Sequence, residues 1–70
     1  MDTAQTTVQP HLERLAGVMS RTGMGRSWIY REIAASRFPA PIRIGGASRW
    51  HSEAIDNWIE DVVRKSERLV

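Results

Sequence analysis

Apolar residues recur along this chain at two spacings, and the change from one to the other marks out its elements. Leu12 and Leu15 open the ordered part on a short extended segment, and Leu15, Val18 and Met19 then share one side of a short helix predicted over residues 16–21. Thr22-Gly23 ends that helix, because glycine enters the left-handed conformation at no steric cost, and Met24 is placed to plug the corner that follows. Ile29 and Ile33 lie one turn apart and predict a second helix over residues 25–35 with those two side chains inward. Two short helices joined by a few residues containing Gly form a helix-turn-helix pattern. Pro39 and Pro41 forbid helix and impose an extended passage, with Phe38 as its anchor in the core.

The spacing then falls to two. Ile42-Arg43-Ile44, the turn signal Gly45-Gly46 and a return strand over residues 47–50 predict a two-stranded wing, with Ile42, Ile44 and Trp50 facing inward. Ser52 is the expected N-cap of a last helix, with Glu53 and Asp56 in its first turn, where acids suit the helix dipole. Ile55, Trp58, Ile59 and Val62 follow at i, i+3, i+4 and i+7, the clearest amphipathic stripe in the chain and the lid on the core. Trp50 and Trp58 are expected in that core and not in a ligand cage. The expected fold is mainly α with a small β-hairpin: three helices and a two-stranded wing over residues 12–66. Residues 1–11 are expected as a flexible tail and 67–70 as a frayed end, although Leu69 and Val70 extend the apolar face and offer a surface for self-association.

Composition narrows the function. A 70-residue chain buries only about 60% of the surface its unfolded form exposes, which leaves little room for a substantial pocket. With no cysteine there is no disulfide framework and no thiolate chemistry. His11 and His51 are far apart without local ligand partners, and Ser27 has no His to activate it, so neither metal nor cofactor nor catalysis is expected. His51 reads as a structural or cap-adjacent residue. No apolar run approaches the roughly 18 residues of a membrane span, and a cytoplasmic, nucleoid-associated location is expected.

Charge changes the picture more. The net charge is only +2, yet residues 14–50 carry Arg14, Arg21, Arg26, Arg31, Arg37, Arg43 and Arg49 against the single acid Glu32. Arginine forks suit phosphate and guanine edges. On the second helix Ser27, Arg31 and Ala34 fall opposite the inward isoleucines, flanked by Trp28 and Tyr30, with Arg26 in the first turn. A cationic, small-residue face beside a basic hairpin suits duplex DNA: the helix enters the major groove while the wing meets backbone or minor groove. A protein-interaction module whose basic face binds an acidic partner would explain the charge equally well, but explains the hairpin less well.

These residues together carry a resemblance. Leu15, Val18, Met19, Thr22-Gly23, Arg26-Ser27, Ile29-Tyr30-Arg31, Ile33, Arg37-Phe38-Pro39, Pro41, the run from Ile42 to Gly46, Arg49-Trp50 and Ile55 to Ile59 resemble the AlpA-like regulators, small phage- and prophage-borne proteins with a MerR-type winged helix-turn-helix. The resemblance spans residues 12–59. It implies sequence-specific duplex DNA binding as a transcriptional regulator, or alternatively as an excisionase that bends attachment-site DNA with an integrase as partner. Carried over by position, Arg26, Ser27, Tyr30 and Arg31 match the recognition helix, and Arg43, Ser48 and Arg49 match the wing; Trp28 is counted with the DNA-binding residues as a departure from the pattern. Gly25 stands where the family commonly has a Ser or Thr cap, at a cost of only a few tenths of a kcal/mol. Trp28 stands where a small hydroxyl residue is common; it either stacks on sugar or a thymine methyl, or packs against the wing. One such module buries only about 600–1,000 Å² on DNA, so a homodimer or a cooperative array on repeated sites is expected.

Overall fold

In a computed structural model of the chain, residues 11–68 are described. They form β1 (Leu12–Glu13), α1 (Leu15–Thr22), α2 (Arg26–Ala34), β2 (Ile42–Ile44), β3 (Ala47–His51) and α3 (Ser52–Arg68). The strands make one antiparallel sheet in the order β1-β3-β2, so β3 is central and the wing has a third strand at its base. This is a mainly helical domain with a small sheet, a winged-helix-like arrangement as the periodicities predicted. The expected tail through residue 10 and the apolar end at Leu69 and Val70 lie outside the described residues. His11, assigned to that tail from sequence, is tied down: its N–H donates to Ser52 Oγ at 3.0 Å, and its carbonyl accepts from the Ser52 N–H at 2.8 Å.

Three helices, the central strand and the proline passage each send one side chain to a common centre. Val18 of α1, Ile29 of α2, Phe38 of the connection, Trp50 of β3 and Ile55 of α3 are buried together, with Leu15, Met19, Met24, Ile33, Trp58 and Ile59 packed around them. Each full burial of a side chain this size is worth about 1.5–3 kcal/mol, so a core of five has no spare member. The proline passage is pinned at two points. Trp50 Nε1 donates to the Pro39 carbonyl at 3.0 Å, and Trp58 Nε1 donates to the Arg37 carbonyl at 3.2 Å. The indoles thus bury their rings and satisfy their polar edges on the segment that leads into the wing.

Helix ends follow from local chemistry. Gly23 closes α1 at φ 74°, its N–H bonded to the Met19 carbonyl. Thr22 Oγ1 meanwhile donates to the Val18 carbonyl and accepts the N–H of Met24. The end of α2 is a Schellman motif built without glycine: Ser36 takes φ 62°, its N–H bonds to Ile33, and the Arg37 N–H reaches back to the Glu32 carbonyl. The start of α3 differs from expectation. Ser52 is buried and spent on His11, and it is His51 Nδ1 that accepts the Glu53 N–H at 3.2 Å, so His51 has a structural, capping role.

The wing corrects a second expectation. The two-residue turn, with Gly45 at φ 61° in the manner of a II′ turn, pairs Ile44 with Ala47, Arg43 with Ser48 and Ile42 with Arg49. Because successive residues alternate faces, Trp50 shares its face with Ser48 and Arg43, and not with the isoleucines. Trp50 is fully buried, whereas Ile42 and Ile44 lie on the outer face, 45% and 50% exposed. The same parity holds on β1, where Glu13, opposite Trp50, is buried and Leu12, opposite His51, is exposed.

Candidate nucleic-acid interface

The exposed side of α2 begins where the chain leaves Gly25, whose extended backbone starts the helix without a side-chain cap. Ile29 turns inward and Ile33 packs beside it, which leaves Arg26, Ser27, Tyr30 and Arg31 exposed on the outer surface. Tyr30 has two contacts. Its ring meets Trp50 edge-on at 6.3 Å between centroids, which ties the outer edge of α2 to the wing's central strand. The Arg26 guanidinium carbon stands 5.8 Å from the centroid of the same ring, within cation–π range. Arg26, Tyr30 and Trp50 therefore form a short chain from the first turn of α2 to β3.

Ring contact with Trp50 also decides which wing residues share a side with α2. Arg43 and Ser48, cross-strand partners, lie on Trp50's face of the sheet, the face that Tyr30 meets. Arg49 lies on the other face with Ile42, and its Nη1 donates to the Ser48 carbonyl at 2.9 Å. The sequence grouped Arg43, Ser48 and Arg49 as one wing surface; the register divides them into two and one.

Trp28 is half-buried, and it packs against α3 instead of the wing. Its ring meets Trp58 at 6.0 Å and Phe38 at 6.3 Å, both edge-on, while Phe38 and Trp58 are themselves 4.9 Å apart. Packing against the wing, one of the two roles read from the sequence, is thus replaced by packing against α3 and the proline passage. Aromatic contacts of this geometry add about 0.5–1.5 kcal/mol each beyond the area they bury.

Two of the seven central arginines are committed elsewhere. Arg21 on α1 bridges the buried Glu13 carboxylate of β1 and Asp56 of α3, and those hydrogen bonds, to Asp56 foremost, raise its pKa above the ordinary arginine value. His11 Nε2 approaches the same Glu13 oxygen at 3.3 Å. Arg37 donates to both oxygens of Glu32, at 2.7 and 3.2 Å. Those hydrogen bonds hold the Glu32 carboxyl below the usual glutamate range and raise the Arg37 pKa in turn. Sequence order counted Arg21 and Arg37 with the basic footprint, because their partners Glu13 and Asp56 lie outside it and Glu32 is a single acid. Among the described residues, Arg14, Arg26, Arg31, Arg43 and Arg49 form no ion pair.

Comparison with known proteins agrees with this geometry. The family described as "Prophage CP4-57 regulatory protein (AlpA)" matches residues 11–64, from the start of the sheet to well along α3. The chain belongs to the AlpA family. A curated relative, an excisionase from Streptomyces ambofaciens, is 41% identical over 56 residues, spanning 80% of this chain and 89% of its own. No solved structure matches. Proteins of the AlpA and excisionase type are regulatory and not catalytic, and membership of the family carries a DNA-binding role in regulation or in directing recombination. No group of three or more metal-ligating side chains occurs among the described residues, and no described helix is long and apolar enough to cross a membrane.

Proposed function

We propose that this AlpA-family chain binds a specific duplex DNA site as a small transcriptional regulator. The observation that carries the reading is the surface shared by α2 and the wing. Arg26, Ser27, Tyr30 and Arg31 stand exposed on the helix beside Arg43 and Ser48, while the two arginines with acidic partners are drawn off it. In this reading α2 lies in the major groove, Arg26 and Arg31 meet phosphate and base edges, Ser27 contacts a base or phosphate, and the Tyr30 hydroxyl meets a phosphate. Arg43 and Ser48 hold the backbone from the wing, and Arg49 flanks them. Trp28 is left out of the contact set, since its ring is engaged by Phe38 and Trp58. Two copies on paired half-sites supply the area that one module lacks.

A second reading, an excisionase that bends attachment-site DNA beside an integrase, is favoured by the name of the Streptomyces ambofaciens relative. One experiment addresses both. Purified protein is offered DNA fragments from its own locus against competitor DNA over a salt series. Selective retention of one promoter fragment is the expected result, and retention of an attachment-site fragment with a large bend transfers the assignment to excision. Equal, feeble binding to every fragment with a shallow salt slope overturns both readings and favours a basic face for an acidic protein partner.

A further inference from the structure

We propose that Tyr30 is a positioning residue: its ring holds the Arg26 guanidinium ready to read a base edge, which leaves Arg31 to meet phosphate. The proposal rests on the DNA-binding reading and divides between two arginines the work assigned to them jointly. Both arginines are exposed on α2, and neither forms an ion pair among the described residues. Their surroundings differ. Arg26 and Tyr30 are four residues apart on one face of the helix, and helical side chains lean back towards the N-terminus, which brings the Tyr30 ring to Arg26. The guanidinium carbon stands 5.8 Å from the ring centroid. The ring is itself fixed, since it meets Trp50 edge-on at 6.3 Å. Trp50 is fully buried, and its indole N–H is held by the Pro39 carbonyl. Arg26 is thus joined to the core through two rings, and Arg31 has no ring contact among the described residues.

Reading a base edge and meeting a phosphate ask different things of an arginine. Bidentate contact to O6 and N7 of guanine requires the planar fork at one place and one angle. A phosphate contact fixes no base identity and is mostly charge. A side chain with arginine's rotamer freedom gains most from being held beforehand where the geometry is strictest. Of the two, Arg26 is the one held. An aromatic ring also holds it without spending its donors. Arg37 shows the contrast, because its hydrogen bonds to Glu32 occupy its Nε and Nη2 groups.

The test is a double-variant cycle, read as the ratio of affinities for the retained fragment and competitor DNA at one salt concentration. A cation–π contact at an exposed site is worth about two- to fivefold, so Tyr30→Leu should lower the ratio by that much. Tyr30→Phe keeps the ring, and should keep the ratio while binding both DNAs less tightly. Arg26→Ala should lower the ratio by about tenfold or more. Adding Tyr30→Leu to it should lower the ratio no further, because no guanidinium remains for the ring to hold. Arg26→Lys should keep the salt slope and lose the ratio, whereas Arg31→Lys should keep both. In NMR spectra of the free protein, the Arg26 side-chain protons should be shifted upfield by the ring in the wild type and in Tyr30→Phe, and not in Tyr30→Leu. Circular dichroism checks that each variant is folded; should Tyr30→Leu unfold, the wild-type shift and the contrast between the two lysine variants carry the test. Equal losses from Tyr30→Leu with and without the Arg26 guanidinium assign the ring to the wing alone and overturn the proposal, as does a wild-type spectrum without the shift. A wild-type chain that binds every fragment alike removes the DNA reading and this division with it; a selective wild type with equal losses removes only the division.

Discussion

Ser36 holds a left-handed backbone at φ 62°, where a side chain is sterically disfavoured and glycine is the common occupant of this helix-ending position. Ser36→Gly should therefore stabilise the domain by about 0.5–1 kcal/mol in urea denaturation, with DNA affinity unchanged. The apolar contact that often closes such a motif is replaced here by the two hydrogen bonds from Arg37 to Glu32. Because the Glu32 carboxyl is held below its unfolded value, the stability it confers is fully present above about pH 4.3 and is lost as pH falls through the lower folded value. Glu32→Gln should flatten the fall in thermal midpoint below that pH and leave the midpoint's pH dependence near neutrality as it was.

Among the elements, α1, β1 and α3 are joined by one side chain. Arg21 links a carboxylate buried on β1 to one on α3, and Glu13 Oε1 has no hydrogen-bond partner in the described structure. Removing the guanidinium leaves the whole carboxylate without its main counter-charge. Arg21→Ala should cost about 1–3 kcal/mol of stability while leaving the DNA affinity of the folded fraction unchanged. Arg31→Ala should do the reverse, with stability within about 0.5 kcal/mol of wild type and weaker retention of the specific fragment. Paired denaturation and binding curves on both variants separate a framework arginine from an interface arginine, a distinction that charge counting along the chain does not make.

For the molecule as a whole, the proposed mode of DNA binding depends on how the wing is set against α2. The Tyr30–Trp50 contact fixes the wing against α2, and the register places Arg43 on that side. Arg43→Ala should weaken binding nearly uniformly across sequences and reduce the slope of log affinity against log salt by about 1, as the loss of one phosphate contact does. Titration of specific and nonspecific fragments over the salt series reads both quantities.

Local chemistry made most elements legible from the sequence. The left-handed stop at Gly23, the proline passage, the Gly45-Gly46 turn and the stripe from Ile55 to Val62 are determined within a few residues of one another, by sterics and by the 3.6 and 2.0 periods. The basic, small-residue outer face of α2 follows from the same spacing once Ile29 and Ile33 are inward. Tertiary structure decided what depends on partners distant in the chain. The two-residue turn sets Arg43 and Trp50 on one face of the hairpin and the isoleucines on the other, and packing against the helices chose to bury the Trp50 face, which turned Ile42 and Ile44 outward. The pairing of Arg21 with Glu13 and Asp56, the claim of His11 on Ser52 and the packing of Trp28 on Trp58 join residues separated by 8 to 41 positions. Periodicity describes which way a side chain leaves its own element; which group it then meets is set only when the elements pack.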